Sequence, residues 1–398
     1  MNPDLQNLQP YPFEKLAALK ADCHPPSSLE HIALSIGEPK HLTPGFITDA
    51  ITSNLDGFNR YPVTRGTDQL RHAIVSWLTK RFKLPENTLH ADKHVLPVNG
   101  TREALFSFAQ SVIDRTLNPT VMMPNPFYQI YEGAAILAGA EPFYLNTLAS
   151  NQFLIDYQSV SEADWQRCQL LYICTPGNPS GAVMSEEDMH NLIALADKYN
   201  FIIASDECYS ELYADEDNPP AGLLQACSSM GRDDFSRCIV FHSLSKRSNA
   251  PGLRSGFVAG DADIIKKFLL YRTYHGCAMP LPVQIASIEA WQDEEHVISN
   301  RELYREKFRC VQQLLSPVMS VEIPPGAFYL WIKTPIDDTE FARRLFEQQN
   351  VTVLPGSYLS READGINPGS HRIRVALVAD KQECVSAAER IMQFLETL

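Results

Sequence analysis

Long uninterrupted apolar runs are missing from this chain of 398 residues. No segment of about 18 consecutive apolar residues occurs, so the sequence predicts no transmembrane helix and no membrane partner. The amino terminus, MNPDLQNLQPYPFEKLAALK, has no basic start followed by an apolar stretch, and we therefore expect no secretory signal. The simplest interpretation is a cytoplasmic protein.

Basic residues and paired cysteines are also scarce. The chain has 34 Lys and Arg against 48 Asp and Glu, a net charge of -14, which argues against nucleic acid or an anionic membrane as the main partner. The 9 cysteines are scattered without a CxxC pair, which counts against both a zinc site and a disulfide framework. We therefore predict no bound metal and a reducing compartment.

Two phosphate-binding signatures are absent as well. Neither GxGxxG nor GxxxxGK[ST] occurs, so the interpretations as a dinucleotide-binding protein or a P-loop protein lose support. What is present is an ordinary globular composition, 44% hydrophobic and 21% charged, without a low-complexity tract. The length predicts two or three domains, because one core rarely extends over so many residues.

The middle of the chain alternates short apolar runs with helical patterns. Four runs end in Pro, Gly, Ser or Asp and are predicted to be buried strands, at 121–123, 170–174, 201–205 and 238–241. Ser185 and Asp188 form a predicted capping box before a helix that joins the second of these runs to the third. This alternation predicts an α/β fold, a three-layer sandwich with a mostly parallel central sheet.

The alternation of strand and helix patterns changes after about residue 295. A polar helix at about 299–315, a helix near 339–350, a last helix and the runs GAFYLWIKT, VTVLP and HRIRVALV predict a smaller α+β domain. The first 45 residues are expected to join it through one helix and a short strand at SIG. We divide the chain into an N-terminal arm that is part of the small domain, a large domain and a small C-terminal domain, at 1–45, 46–294 and 295–398.

Polar residues follow the predicted strands at the point where each strand ends. Ligands bind beyond the carboxyl ends of parallel strands, so we expect these side chains to share one site. The segment GTREAL adds a glycine before a helix start, which can offer backbone N–H groups to an anion. The polar residues after the strands are Asn178 in TPGNPSG, Asp206 and Tyr209 in SDECY, and Ser243, Ser245 and Lys246 in SLSK.

Each of these residues has an ordinary structural explanation when it is taken alone. An aspartate after a strand commonly caps a helix, and NPSG commonly forms a turn. Together they match the needs of pyridoxal phosphate. A lysine forms a Schiff base with its aldehyde, a carboxylate keeps its pyridine nitrogen protonated, and hydroxyls, an arginine and a helix N-terminus neutralise its phosphate. The sequence therefore predicts a pyridoxal phosphate site.

The motifs resemble those of the class I aminotransferase branch of the fold-type I pyridoxal phosphate enzymes. The joined lysine block, NPSG and SDECY carry most of this resemblance. It implies amino-acid and keto-acid substrates and a homodimer with active sites at the subunit interface. The motifs follow the family order over nearly the whole chain: SIGEP, YPVTRG, NGTREAL, PFYQIY, NPSG, SDECY, SLSKRSNAPGLRSG and HRIRVAL.

The resemblance also implies a role for each residue that matches a family motif. Lys246 would be the Schiff-base lysine, and Asp206 would pair with the pyridine nitrogen. Asn178 and Tyr209 would contact the ring oxygen, and Tyr128 would stack on the ring. The implied phosphate ligands are Tyr61 from the neighbouring subunit, Thr101, Arg102, Ser243, Ser245 and Arg254.

The resemblance places the substrate α-carboxylate on Arg374, whose guanidinium can form two parallel bonds with it. Arg372 is the competing residue, because alternation along a strand puts both on one face. The family motif favours Arg374. Gly37 would lie where the N-terminal segment closes over the substrate, with Asn178 beside it.

Three further residues have open roles at this point. Arg102 stands where many relatives carry a smaller residue, and it either adds positive charge at the phosphate or points away. His242 and His275 are candidates for acid–base work, but most such histidines are structural and Lys246 already supplies the proton transfer.

The implied reaction is transamination in two half-reactions, with glutamate as the amino donor. The segments LQPYPFEKLAALK, SIGEPKH and GAFYLW, with the lysine block, are most similar to N-succinyldiaminopimelate aminotransferases of bacterial lysine synthesis. That similarity implies N-succinyl-L-2-amino-6-oxopimelate as the acceptor. The main alternative is an aspartate or aromatic amino-acid aminotransferase. A pyridoxal phosphate lyase is a lesser alternative. A non-catalytic regulator is another, and the acidic chain has no basic DNA-binding segment to support it.

Overall fold

A computed structural model describes all 398 residues. The chain forms 12 strands: β1 (Ile32–Ala33), β2 (Val95–Val98), β3 (Thr120–Asn125), β4 (Glu141–Asn146), β5 (Cys168–Cys174), β6 (Ile202–Asp206), β7 (Cys238–Ser243), β8 (Gly256–Gly260), β9 (Tyr329–Lys333), β10 (Val351–Thr352), β11 (Leu354–Pro355) and β12 (Arg372–Ala376). Seven of them form the central sheet in the order β2-β8-β7-β6-β5-β3-β4. Only β8 runs against the others, because both of its pairings are antiparallel and the rest of the sheet pairs in parallel.

Helices cover the sheet and build the remainder of the chain. The 14 α-helices are α1 (Pro12–Leu19), α2 (Gly45–Thr52), α3 (Asp68–Arg81), α4 (Thr101–Val112), α5 (Ile130–Ala138), α6 (Glu162–Arg167), α7 (Glu186–Tyr199), α8 (Leu223–Ser229), α9 (Leu244–Arg247), α10 (Ala262–His275), α11 (Leu281–Gln292), α12 (Glu295–Leu315), α13 (Asp338–Gln349) and α14 (Lys381–Leu395). Short 3₁₀ helices lie at Pro3–Asn7, Leu55–Asn59, Arg115–Leu117, Ala149–Asn151, Tyr157–Ser159, Pro251–Leu253 and Gly356–Leu359.

The central strands separate two apolar cores. Side chains alternate between the two faces of a strand, and along β5 Leu171 and Ile173 join one buried cluster while Leu170 and Tyr172 join the other. The strands therefore read as continuous apolar runs, because each face is covered by helices. The predicted α/β sandwich with its mostly parallel sheet is confirmed.

All four predicted strands are present, with ends shifted by up to two residues. The capping box is also formed: the backbone N–H of Asp188 donates to Ser185 Oγ at 3.0 Å, and the N–H of Ser185 donates to Asp188 Oδ2 at 3.1 Å. These bonds satisfy donors that the first turn of α7 leaves free. Strands β2, β4 and β8 were not predicted, because short runs beside Pro and Gly carry a weak periodic signal.

The carboxyl-terminal region forms its own layer. Strands β11, β12 and β9 make an antiparallel sheet, which packs with α12, α13 and α14 around a separate buried cluster. The N-terminal segment joins this layer, since β1 pairs in parallel with β10. These pairings support our proposed division into 1–45, 46–294 and 295–398. None of the helices combines the length and the apolarity that crossing a membrane requires.

The prediction of a strand at SIG is wrong. The strand lies three residues earlier, at Ile32–Ala33, and Ser35 and Ile36 form a bend. The bend brings Gly37 against Tyr329, where an added Cβ would lie 2.0 Å from the tyrosine oxygen. The Ser35 carbonyl is also used outside any sheet, because it accepts a hydrogen bond from Arg374.

Replacing Ser185 with alanine removes the side-chain acceptor at the start of α7. We expect the free energy of unfolding to fall by about 1 kcal/mol, as for other helix caps, measured by urea denaturation. Ser53→Ala is the matched control, because Ser53 is exposed and its hydroxyl makes no hydrogen bond. Equal stability of the two variants would contradict a contribution from the capping box.

Candidate active site

A cleft of about 450 Å³ opens beyond the carboxyl ends of β5, β6 and β7. It lies between the central sheet and the carboxyl-terminal layer, with part of the N-terminal segment at its edge. Every predicted site residue except Tyr61 lines it: Gly37, Thr101, Arg102, Tyr128, Asn178, Asp206, Tyr209, Ser243, Ser245, Lys246, Arg254 and Arg374. Cys174 and Cys208 line it as well.

Lys246 projects from the short helix α9, directly after β7. Its Nζ donates to the Gly37 carbonyl at 2.5 Å and lies 5.3 Å from the centre of the Phe328 ring. Burial, with the positive charges of Arg374 and Arg254, lowers the pKa of Lys246 to about 8. A substantial fraction of this amine is therefore neutral near pH 8, which a nucleophilic lysine requires.

Asp206 ends β6 and is buried. The Tyr131 hydroxyl donates to its Oδ2 at 2.7 Å, and the N–H of Cys208 donates to its Oδ1 at 3.3 Å. Burial raises the pKa of Asp206, and these hydrogen bonds oppose the rise because they favour the carboxylate. A cationic partner in the cleft would complete the neutralisation of this carboxylate.

A corner of the cleft is built for an anion. Gly100 precedes α4 with φ of 84°, and a Cβ there would lie 2.3 Å from Arg254 Nη2, so the backbone can approach the guanidinium only at a glycine. Arg254 donates to the Pro251 carbonyl at 2.8 Å and leaves its other N–H groups free. Thr101 opens α4 at the positive end of the helix dipole.

Two serine hydroxyls belong to the same corner. Ser243 Oγ caps α9 by accepting from the N–H of Ser245 at 3.1 Å, and it donates to Ser245 Oγ at 2.9 Å. Both residues are at least nine-tenths buried. Their hydroxyls are therefore held in one orientation towards the cleft by α9 itself.

Arg374 lies on β12, in the carboxyl-terminal layer of the cleft, and is 4% exposed. Its Nη1 donates to Asn178 Oδ1 and its Nη2 to the Ser35 carbonyl, both at 2.8 Å, while its Nε has no partner. The Tyr329 ring packs 4.5 Å from the guanidinium, and the Tyr329 and Tyr209 hydroxyls are 2.8 Å apart. A buried guanidinium with unused donors suits a carboxylate ligand.

Arg372, the competing residue, lies outside this cleft. It donates to the Trp331 carbonyl at 3.3 Å, and its guanidinium is 4.8 Å from the Phe153 ring. The two histidines are outside the lining too. His242 Nε2 lies 3.2 Å from Glu207 Oε2 within a buried aromatic cluster, and His275 is exposed.

Tyr61 is 99% exposed and makes no contribution to the cleft of its own chain. Its neighbours Leu55, Phe58 and Val63 are between 53% and 59% exposed. An exposed apolar segment of this size is typical of a surface that another molecule covers.

One family of sequences accounts for the chain. The sequence model of the family described as "Aminotransferase class I and II" matches residues 30–391. The chain belongs to this family. Its cofactor is therefore pyridoxal phosphate, as the sequence predicted.

Individual relatives agree with this assignment. A solved aminotransferase from Neisseria meningitidis Z2491 is 50% identical, covers 99% of both chains and superposes with a TM-score of 0.95. A relative from Maridesulfovibrio salexigens described as "LL-diaminopimelate aminotransferase" is 30% identical over 97% of both chains. A Thermus thermophilus structure described as a "probable N-succinyldiaminopimelate aminotransferase" is 23% identical, covers 96% of this chain and all of its own, and shares the fold with a TM-score of 0.84.

The cleft of this aminotransferase fits the cofactor. The buried Asp206 suits a protonated pyridine nitrogen, and the corner of Thr101, Ser243, Ser245 and Arg254 suits a phosphate. The lowered pKa of Lys246 favours the neutral amine that reacts with the cofactor aldehyde. These assignments remain proposals, supported by the convergence of the residues in one cleft.

Sequence reasoning missed three tyrosines. Tyr131 donates a hydrogen bond to Asp206, Tyr329 shares one with Tyr209, and Tyr11 accepts one from Arg102. Tyr131 follows Tyr128 at helical spacing, which was an available signal. No comparable signal links Tyr11 or Tyr329 to the site, because their partners are distant in sequence.

Glu103, His275 and Cys277 bring possible metal-ligand atoms within 4.8 Å of one another. Arg272 Nη1 already donates to both Glu103 oxygens at 2.7 Å. The guanidinium therefore neutralises the carboxylate that a metal would need. The expectation that no metal is bound stays a prediction.

The pKa of Lys246 can be measured by its reaction with a small acylating reagent. Only the neutral amine reacts, so we expect the acylation rate of the cofactor-free protein to rise with pH and level off with a midpoint near 8. Peptide mass spectrometry would follow the modification of Lys246 over time. A midpoint near the usual lysine value of 10.5 would contradict the effect of burial.

Proposed function

We propose that this aminotransferase transfers the amino group of glutamate to N-succinyl-L-2-amino-6-oxopimelate. The products are 2-oxoglutarate and N-succinyl-L,L-2,6-diaminopimelate. The observation that carries the reaction type is the half-buried amine of Lys246 in the same cleft as the anion-binding corner at Arg254 and the guanidinium of Arg374. The acceptor is supported by the motif similarity of the sequence and by the diaminopimelate named for the relative that is 30% identical.

Lys246 is the proposed catalytic residue. When bound, pyridoxal phosphate supplies a ring that accepts electrons from the substrate α-carbon. Lys246 Nζ would hold the cofactor aldehyde and would be the group that accepts and returns the proton of the substrate α-carbon. Its lowered pKa suits both tasks, because the amine can lose and regain a proton near neutral pH.

Four residues hold the cofactor ring in this proposal. Asp206 would keep the pyridine nitrogen protonated, and the hydrogen bond from Tyr131 orients its carboxylate. Asn178 and Tyr209 would hydrogen-bond the ring oxygen. Tyr128 would pack against the ring as an aromatic side chain.

Arg374 selects the substrate end that reacts. Its guanidinium is held by Asn178 and the Ser35 carbonyl, so its orientation is set before substrate binds. Gly37 adjoins both Lys246 and Tyr329, which supports a role of the N-terminal segment in closing the site over the substrate. The bound α-carboxylate therefore directs the α-carbon towards Lys246.

A second candidate is transamination of LL-diaminopimelate itself, which the description of the relative at 30% identity favours. Aspartate and aromatic amino acids remain the alternatives drawn from the sequence. All four share the α-amino and α-carboxylate groups that Lys246 and Arg374 address. They differ only in the side chain, so the assay must compare acceptors and donors.

The deciding experiment is glutamate-dependent amination of N-succinyl-L-2-amino-6-oxopimelate by purified protein with added pyridoxal phosphate. We expect kcat/KM for this acceptor to exceed that of the keto acids of aspartate and aromatic amino acids by at least about tenfold, a difference of about 1.4 kcal/mol in transition-state binding. Parallel reactions with LL-diaminopimelate as the donor test the second candidate. Preference for any of these controls would reject the succinylated acceptor and keep the reaction type.

We also propose a homodimer in which Tyr61 of one subunit binds the cofactor phosphate of the other. The exposure of Tyr61 and of the apolar segment around it supports this arrangement. A cytoplasmic location is proposed as well, and the nine unpaired cysteines are consistent with a reducing compartment.

Mixed dimers test this arrangement. Lys246→Ala alone should fold and lose turnover, and Tyr61→Ala alone should lose most of it. Refolding the two variants together should restore activity in about a quarter of all sites in a statistical mixture, because one site of each mixed dimer then combines an intact Lys246 with the partner subunit's Tyr61. No recovery above the separate variants would show that Tyr61 does not act across an interface. Substantial turnover by Lys246→Ala would reject its catalytic role.

A further inference from the structure

Four cationic side chains line the cleft, and three of them have proposed tasks. Lys246 holds the cofactor, Arg254 its phosphate, and Arg374 the substrate α-carboxylate. Arg102 is the fourth. The family motif predicts that Arg102 lies beside the cofactor phosphate, but its side chain points towards the N-terminal segment.

Arg102 is bound to the N-terminal segment. Its Nη2 donates to the Tyr11 hydroxyl at 3.0 Å, and its guanidinium lies 5.3 Å from the centre of the Tyr11 ring. It makes no other side-chain hydrogen bond and no ion pair. By contrast, Arg272 and Arg361 are each neutralised by a glutamate at 2.6–2.7 Å. Arg102 therefore has no acidic partner and keeps several free N–H donors at the cleft.

The helix geometry separates Arg102 from its neighbour. Successive residues of a helix point about 100° apart, and Thr101 is buried with its hydroxyl 3.0 Å from Cys208 Sγ, whereas Arg102 is exposed. Thr101 thus belongs to the floor of the anion-binding corner. Arg102 belongs to the wall formed with Tyr11, which itself lines the cleft.

A free guanidinium on an otherwise acidic protein is suited to a second carboxylate. The acceptor proposed above carries carboxylates beyond the one assigned to Arg374, and guanidinium binds carboxylate with paired hydrogen bonds. We propose that Arg102, held by Tyr11, binds the succinyl carboxylate of the acceptor. The inference rests on the proposed function and makes Arg102 a specificity residue instead of a phosphate ligand.

The Arg102→Gln variant tests this role. We expect its KM for the succinylated acceptor to rise on the order of tenfold, as for loss of a charge-assisted hydrogen bond, with kcat nearly unchanged. The affinity for pyridoxal phosphate and the KM for glutamate should stay as in the wild type. With an acceptor whose succinyl carboxylate is converted to an amide, wild type and variant should have equal KM values.

Three further variants sharpen the result. Arg115→Gln makes the same charge change just beyond the other end of α4, outside the cleft, and should leave every KM unchanged. Arg102→Lys should fall between wild type and Arg102→Gln, because lysine keeps the charge without the paired donors. Tyr11→Phe should raise the same KM by a smaller factor, since it only loosens the guanidinium.

Several outcomes would overturn the role of Arg102. Loss of affinity for pyridoxal phosphate in Arg102→Gln, with all substrates affected alike, would assign the side chain to the phosphate. An unchanged KM for the succinylated acceptor, or an equal rise with the amide, would reject the contact. A wild-type protein that ignores the succinylated acceptor would reject the proposed function itself, and with it this inference.

Discussion

Parallel pairing of β5, β6 and β7 brings the ends of three strands to one edge of the sheet, and the cleft depends on that register. Cys174 lies opposite Asp206, and Asp206 lies opposite Phe241. The segments that carry Asn178 and Lys246 therefore begin on either side of Asp206. A slip of one residue would turn Asp206 to the other face of the sheet, away from Tyr131 and the cleft.

The same arrangement concentrates buried charge, which is costly without partners. Asp206 has a raised pKa and Lys246 a lowered one, because burial disfavours the charged form of each. Tyr131 and the Cys208 N–H partly satisfy the carboxylate, and Arg374 retains an unpartnered Nε. In the proposed function, a cofactor with a cationic ring and an anionic substrate would supply the missing partners of Asp206 and Arg374.

Opposite the sheet, the N-terminal segment supplies contacts to both ends of the cleft. Ser35 and Gly37 reach Arg374 and Lys246 through their carbonyls, and Tyr11 reaches Arg102 through its hydroxyl. Backbone carbonyls can serve these cations because the segment bends at SIG and does not pair there in a sheet. The segment is thus part of the site, although most of its contacts leave no signal in side-chain chemistry.

Local patterns were sufficient for the central strands, the capping box of α7 and the set of residues after the strand ends, because each depends on neighbours close in the chain. They offered only the spacing of Tyr131 from Tyr128 as a signal for its contact with Asp206 and none for Tyr329 with Tyr209, and they misplaced the short strand near SIG. The roles of the convergent residues, including Tyr61 at a subunit interface, remain proposals that the experiments above address.

The sequence by itself determined which chemical groups are available: one lysine after an apolar strand, an aspartate at the end of another, and arginines in the GTREAL and HRIRVAL motifs. Periodicity can assign a residue to a face of a strand or helix, but it carries no information on what faces it. Periodicity left Arg374 and Arg372 on one face, and the tertiary structure places Arg374 inside the cleft and Arg372 against Phe153. The contact of Arg102 with Tyr11 was also visible only in the tertiary structure, because it joins residues 91 positions apart.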